Sequence, residues 1–293
     1  MTRLLFVHAH PDDESLWTGL AIAHHVTLGD EVHVLTATLG EEGEVIPPEL
    51  RHLELPAGQP RRVDTPDPLA DVRADELRCA TTQLGVTSAV VLERGGSSYR
   101  DSGMAGTPSS AHPRALTGAD VDEVAAAIAV HIAAVRAEVV VTYDRTGGYG
   151  HPDHIRVHEA TLRAVATTMP EPELYAVVTP RSWAEEDRAW LQAHVSRAGI
   201  IVPTAQDPHL PSVIDDAVVT HTVIDDDAIG IQAAALRCHR TQVTVYDGYF
   251  ALSNDVAVRL APREAFVRLD PRTGDIFTGA GGATGLRHTG LAS

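Results

Sequence analysis

Leu4-Leu5-Phe6-Val7-His8-Ala9-His10-Pro11-Asp12-Asp13-Glu14-Ser15 sets an apolar run directly against a turn crowded with imidazoles and carboxylates. The run reads as a buried parallel strand, and a helical pattern follows the turn. In an open α/β sheet, ligands sit at the carboxyl ends of the strands. The first strand therefore delivers His10, Asp12 and Asp13 into a site. His10 and Asp13 stand three apart, so both side chains can converge on one ion as the chain turns. Pro11 fixes one backbone angle between them. Asp12 projects differently from Asp13 and is free for another task. The plainer reading makes either acid the cap of the coming helix, which leaves two neighbouring histidines unexplained.

The same grammar recurs outward from this stretch. A helix is expected from Glu14 to Leu28, with Leu16, Leu20, Ala23 and Val26 at helical spacing and Gly29 ending it. A second strand, Glu31 to Thr38, ends in Leu39-Gly40-Glu41-Glu42-Gly43-Glu44-Val45, a loop placed to receive a polyol. Pro47 to Pro68 has no period and reads as an irregular insertion. Next come a helix over Leu69 to Leu84, a strand over Ser88 to Leu92 and a long polar loop from Gly95 to Met104. Loops of that length in compact domains tend to be functional or mobile. An alanine-rich helix over Asp120 to Val135 leads to a fourth strand, Glu138 to Thr142. That strand runs into Tyr143-Asp144-Arg145-Thr146-Gly147-Gly148-Tyr149-Gly150-His151-Pro152-Asp153-His154 and a helix to Ala166. Two strand ends thus carry His-Pro-Asp. The alternation, lasting to about Val178, predicts an α/β fold with a Rossmann-like, doubly wound, mostly parallel sheet.

After Pro180 the pattern weakens to helices over Trp183 to Val195 and Asp225 to Cys238, with short strands in Gln242 to Tyr249 and Ala265 to Leu269. The expected organisation is a metal-binding α/β core over 1–180 and a smaller mixed α+β elaboration over 181–293, packed on the core beside the sheet's carboxyl edge. Thr278 to Ser293 is glycine-rich and reads as a loose tail.

Composition narrows the partners. A net charge of −17 makes nucleic acid and anionic membranes poor ones. No apolar run approaches the length of a membrane span, and the first strand begins at once, without a signal peptide. Cys79 and Cys238 form no disulfide framework and point to a reducing compartment, so a cytoplasmic protein is expected. The chain has no lysine. That excludes Schiff-base chemistry, a lysine nucleophile and a P-loop.

His10, Asp13 and His154 supply two imidazoles and one carboxylate, the donor set of a catalytic zinc site that keeps a position for water. Iron(II) accepts the same ligand types. Asp12 then serves as a base beside the activated water. His151 can donate a proton to a leaving amine or, as a cation, stabilise a tetrahedral oxyanion. Asp153 can hydrogen-bond His151 and keep it charged, and Tyr149 offers a hydroxyl on a glycine-flanked turn to the same oxyanion. His24, His25, His33, His131 and His158 fall within element patterns and read as packing. His8 is either a partner behind the ligands or a buried hydrogen-bonded histidine.

His10-Pro11-Asp12-Asp13-Glu14 and His151-Pro152-Asp153-His154 resemble the two motifs of the zinc-dependent de-N-acetylases related to N-acetylglucosaminyl-phosphatidylinositol deacetylase. The likeness extends through Arg3 to Leu16, Thr38 to Ile46, Arg100-Asp101-Ser102-Gly103-Met104-Ala105-Gly106-Thr107 and Val141 to His154. Later it is carried by Thr241-Gln242-Val243 and Ala251-Leu252-Ser253-Asn254. These blocks are most similar to the mycothiol-pathway branch of the family, which hydrolyses the acetamide of N-acetylglucosaminyl-inositol. The resemblance implies zinc on His10, Asp13 and His154, Asp12 as general base, His151 as electrostatic partner or acid, and Tyr149 on the oxyanion. It also implies that Arg73, Asp101 and Glu44 meet the hydroxyls of a small aminosugar-inositol substrate. The nearest alternative is a mycothiol S-conjugate amidase, which carries a lysine after the acidic motif where this chain has none. A sugar-binding protein without catalysis is the alternative of another class, and its signature, loss of Asp12 or a ligand, is absent. A dinucleotide binder lacks its glycine fingerprint after the first strand.

Overall fold

The computed structural model describes residues 1–55, 67–277 and 291. Its strands are β1 (Arg3–His8), β2 (Glu31–Thr36), β3 (Ser88–Val91), β4 (Glu93–Arg94), β5 (Ser97–Ser98), β6 (Val139–Tyr143), β7 (Glu173–Pro180), β8 (Val213–Ile214), β9 (His221–Ile224), β10 (Thr244–Val245), β11 (Tyr249–Ala251), β12 (Ala257–Arg259) and β13 (Arg263–Leu269). The helices are α1 (Asp13–Leu16), α2 (Gly19–Thr27), α3 (Pro68–Leu84), α4 (Val121–Val135), α5 (Gly147–Gly150), α6 (Pro152–Thr167), α7 (Arg181–His194) and α8 (Ile229–Cys238).

The main sheet runs β3-β2-β1-β6-β7-β13-β9, with β8 pairing β7. Strands β3, β2, β1, β6 and β7 are parallel, as the strand-helix alternation predicts; β13 adds antiparallel to β7, and β9 adds antiparallel to β13. Both faces of β1 are buried, because successive side chains alternate across the sheet. Leu5 and Val7 pack with Ile128 and Val157 on the α4–α6 side. Leu4 and Phe6 pack with Leu20, Ile22, Ala80 and Ala235 on the side of α2, α3 and α8. This two-sided burial is why the strands read as continuous apolar runs. The order reverses at β1: the chain winds outward through β2 and β3 on one side and returns to the other side of β1 as β6. The carboxyl ends of β1 and β6 therefore open together, at the position where such sheets bind ligands.

Three local expectations are corrected. The single helix expected from Glu14 to Leu28 is broken at Trp17–Thr18. The Thr18 hydroxyl bonds His8 Nε2 at 2.9 Å, and Glu264 on β13 accepts the N–H groups of Leu20 and Ala21 at 2.9 Å, starting a new helix there. A fifth parallel strand, β7, follows α6, where the sequence pattern predicts four. Cys79 and Cys238, expected to form no disulfide framework and to mark a reducing compartment, form a disulfide, because α3 and α8 pack side by side with these Cα atoms 5.7 Å apart, and that ground for a cytoplasmic location falls.

Residues 181–277 contribute β13 and β9 to the main sheet and form a separate sheet, β10-β11-β12. Of the irregular insertion, 56–66 lie outside the described residues; before them, Pro48–Leu53 forms a 3-10 turn. The expected tail, Thr278 to Ser293, also lies outside them apart from Leu291, whose N–H donates to His25 Nε2. No helix among the described residues is long and apolar enough to cross a membrane.

Candidate active site

The end of β1 and the turn after β6 bring three donor atoms into one triangle. His10 Nδ1 lies 3.6 Å from Asp13 Oδ2 and 3.2 Å from His154 Nε2, and that nitrogen is 3.4 Å from Asp13 Oδ2. Tetrahedral ligands at about 2.0–2.2 Å from an ion stand at such mutual distances. All three residues are buried. The residues therefore fit a divalent metal. His151 joins the imidazole cluster, its ring 4.7 Å from that of His10 and 5.2 Å from that of His154.

The surrounding bonds fix how each donor is presented. His154 Nδ1 donates to the Gly147 carbonyl at 3.1 Å, which leaves Nε2 with its lone pair on the triangle. Tyr143 Oη donates to Asp13 Oδ2 at 2.7 Å and accepts the Ala9 N–H at 2.7 Å. His10 presents Nδ1 inward because its Nε2 faces Asp153 Oδ2 at 3.3 Å and Asp101 Oδ1 at 3.6 Å. Such outer partners orient and tune metal ligands. The carboxylate of Asp153 thus sits on His10 and on the Ser102 N–H, not on His151 as the sequence reading has it. Its backbone N–H donates to His151 Nδ1 at 3.1 Å instead. The proton of neutral His151 is thereby placed on Nε2.

Burial works against a charged His10, but Asp101, Asp153 and Asp13 outweigh it and hold the imidazole well above its usual range. His154 goes the other way, pushed down by burial to about 3, so it is a neutral donor. Burial also lowers His151. Asp13 is held below the usual carboxylate range, since His154 and His10 outweigh its burial. Asp12 is pushed up to about 8 by burial and by the charge of Asp13, with His239 and Arg73 pulling the other way. A cation in the triangle opposes Asp13's charge and so favours ionised Asp12.

Asp12 stands half-buried at φ 117°, a left-handed conformation that costs a non-glycine residue about 1–3 kcal/mol. No cap bond ties its carboxylate to the helix it precedes. Tyr149 is 40% exposed, its ring parallel to Trp17 at 6.4 Å and edge-on to His154 at 5.0 Å. It is flanked by Gly148 and Gly150 at φ 77° and 94°. A Cβ on Gly148 meets the Trp17 ring at 2.7 Å, so only glycine lets that turn lie on the indole.

The residues tied by resemblance to substrate are placed around this centre. Asp101 is buried, accepting the Gly103 and Glu42 N–H groups at 2.8 and 3.2 Å, while its own N–H donates to Glu41. Arg73 is buried under the 40–44 loop, donating to the carbonyls of Gly40 and Glu44. The Glu44 side chain is exposed. His8 is buried against Tyr143 and Thr18. The sequence alone assigns no role to Tyr143, Glu14, Ser102, His239 or Gln242, whose hydrogen bonds support these residues. For Tyr143 the available signal was its place at the carboxyl end of a buried strand.

Residues 5–165 match the family described as PIG-L, GlcNAc-PI de-N-acetylase. The chain belongs to this de-N-acetylase family. It is an amide hydrolase with a metal-ligand set. This de-N-acetylase is 45% identical over 96% of its length to a 1D-myo-inositol 2-acetamido-2-deoxy-alpha-D-glucopyranoside deacetylase from Actinosynnema mirum, 98% of which is covered. A protein of the same name from Rhodococcus opacus is 43% identical, with 95% of this chain and 98% of that one covered. Among solved structures, the zinc-inhibited form of teicoplanin deacetylase superposes with a TM-score of 0.51 at 18% identity, covering 92% of this de-N-acetylase and 99% of that chain. A pseudoaglycone deacetylase gives 0.54 at 19% identity, over 90% and 96% of the two chains. These two likenesses concern the fold.

Proposed function

We propose that this chain hydrolyses N-acetylglucosaminyl-inositol to glucosaminyl-inositol and acetate in mycothiol biosynthesis, using zinc or iron(II). The observation that carries the reading is the name borne by relatives 43–45% identical across at least 95% of this chain. The donor triangle with Asp12 beside it supports the same chemistry.

His10, Asp13 and His154 would hold a divalent ion. When bound, it supplies Lewis-acid polarisation and makes water nucleophilic near neutral pH. Asp12 takes the proton of the attacking water as its oxygen bonds to the acetamide carbon. His151 Nε2–H and the Tyr149 hydroxyl face the oxygen on which charge develops. The carbon–nitrogen bond then breaks, acetate separates, and the amine receives its proton through His151. Asp153 acts through His10 and His151, accepting from one and donating to the other. Asp101, Arg73 and Glu44 frame the sugar and inositol hydroxyls, with Arg73 holding the loop that presents Glu44.

The test is amine release from N-acetylglucosaminyl-inositol by metal-loaded and metal-stripped protein, beside the bimane conjugate of mycothiol. Turnover of the first substrate by the loaded form alone is expected. Preferential cleavage of the conjugate would make the chain the S-conjugate amidase instead.

A further inference from the structure

The peptide that introduces Asp12 is held at both of its polar atoms, at its carbonyl by the segment that follows α8 and at its N–H by Glu14 of α1, which that segment holds in turn. On one side, Gln242 Nε2 donates to the Pro11 carbonyl at 2.7 Å. On the other, the Asp12 N–H donates to Glu14 Oε2 at 3.0 Å. The second oxygen of Glu14 accepts from His239 Nε2 at 2.7 Å. Glu14 and His239 are fully buried and Gln242 nearly so. The gripping segment is itself anchored. The N–H and hydroxyl of Thr241 donate to the Glu76 carboxylate at 2.9 and 2.6 Å, and the Thr241 carbonyl accepts from the Ile46 N–H at 2.9 Å.

This grip coincides with the strained conformation of Asp12. Its φ of 117° is one that an aspartate abandons unless its surroundings over-determine it. The two bonds do so, because a peptide fixed at its carbonyl and its N–H cannot rotate about its flanking bonds without losing both. Neither gripping residue reaches the donor triangle, and both lie beyond the 5–165 stretch that matches the family.

We infer that His239, acting through Glu14, and Gln242, acting directly, are positioning residues that hold Asp12 in its catalytic conformation. This rests on Asp12 being the base of the proposed deacetylation. A base displaced by about an ångström loses on the order of a hundredfold in rate. Positioning residues that touch neither substrate nor ion change kcat and leave KM alone.

Gln242→Ala, His239→Ala and His239→Gln test this in the metal-loaded full chain. The two alanine variants are expected to lose roughly ten- to a hundredfold in kcat, with KM and metal content unchanged. In their crystal structures the Pro11–Asp12 peptide should be rotated and Asp12 should leave its positive φ. His239→Gln restores an N–H donor near the position of Nε2 and is expected to recover most of kcat. Wild-type kcat in the alanine variants overturns the inference. So does a loss of kcat with the Asp12 backbone unmoved, or one that tracks lost metal. Should His239→Ala fail to fold, Gln242→Ala, which leaves the buried Glu14–His239 pair in place, decides. If the wild-type chain does not turn over N-acetylglucosaminyl-inositol, the proposed function falls, while the diffraction comparison still tests the grip.

Discussion

At the residue scale, neighbouring Asp12 and Asp13 are separated in role by what surrounds them. Asp13 Oδ2 is bonded by Tyr143 Oη and the His10 N–H and faces two imidazoles. Asp12 keeps its carboxylate clear of the helix cap and is pushed up to about 8. Asp12→Asn removes the base and leaves the donor triangle intact. Its kcat is expected to fall roughly a hundred- to ten-thousandfold with metal content unchanged, read by steady-state kinetics beside elemental analysis. Near-normal turnover would show that another group takes the proton. His10 makes a second prediction. Its folded-state pKa is raised, so the stabilisation from its proton is complete below about 6.5, the unfolded value, and is lost as pH rises through the elevated one. A metal needs the neutral imidazole and competes with that proton. Metal affinity should therefore rise with pH, and the gap in Tm between loaded and stripped protein should widen. A gap that stays flat with pH would place the competing proton elsewhere.

At the scale of elements, the site exists because β1 and β6 are adjacent and parallel, with Leu4 opposite Val139 and Phe6 opposite Val141. That pairing sets Tyr143, at the end of β6, beside Ala9 and Asp13. Tyr143→Phe removes the 2.7 Å bond to Asp13 and leaves the Ala9 N–H without its acceptor. Metal affinity is expected to fall roughly ten- to a hundredfold, measured by competition with a chromogenic chelator. Unchanged affinity would reduce Tyr143 to packing. The convergence of His10, Asp13 and His154 could be read in the sequence because each half lies in a short turn between a recognisable strand and helix. The break at Trp17–Thr18 could not. It depends on Glu264, which reaches the N–H groups of Leu20 and Ala21 from β13. The partner of Asp153 is hidden for a similar reason. Proximity in sequence ties it to His151, while only the assembled turns show its carboxylate on His10.

For the molecule as a whole, the segment after α7 closes the structure through contacts that no local spacing announces. Strand β13 pairs with β7, Thr241 bonds Glu76 on α3, and Cys238 bonds Cys79 across a sequence separation of 159. The disulfide lies toward the surface, with Cys79 exposed. It joins the two helices that carry Glu76 and lead into His239, and it contributes no atom to the donor triangle. Cross-links closing long loops typically stabilise by about 2–4 kcal/mol, chiefly by restricting the unfolded chain. The double variant Cys79→Ser, Cys238→Ser is therefore expected to lose stability of about that size in urea titration under oxidising conditions. Under a reducing agent, the wild type should fall to the variant's midpoint. Metal content should be the same in all three, because the proposed ligands come from the ends of β1 and β6. If removing the disulfide instead released the metal at a midpoint that had not moved, α3 and α8 would be holding the site directly. The division between a sheet that builds the centre and a C-terminal segment that braces it would then be wrong.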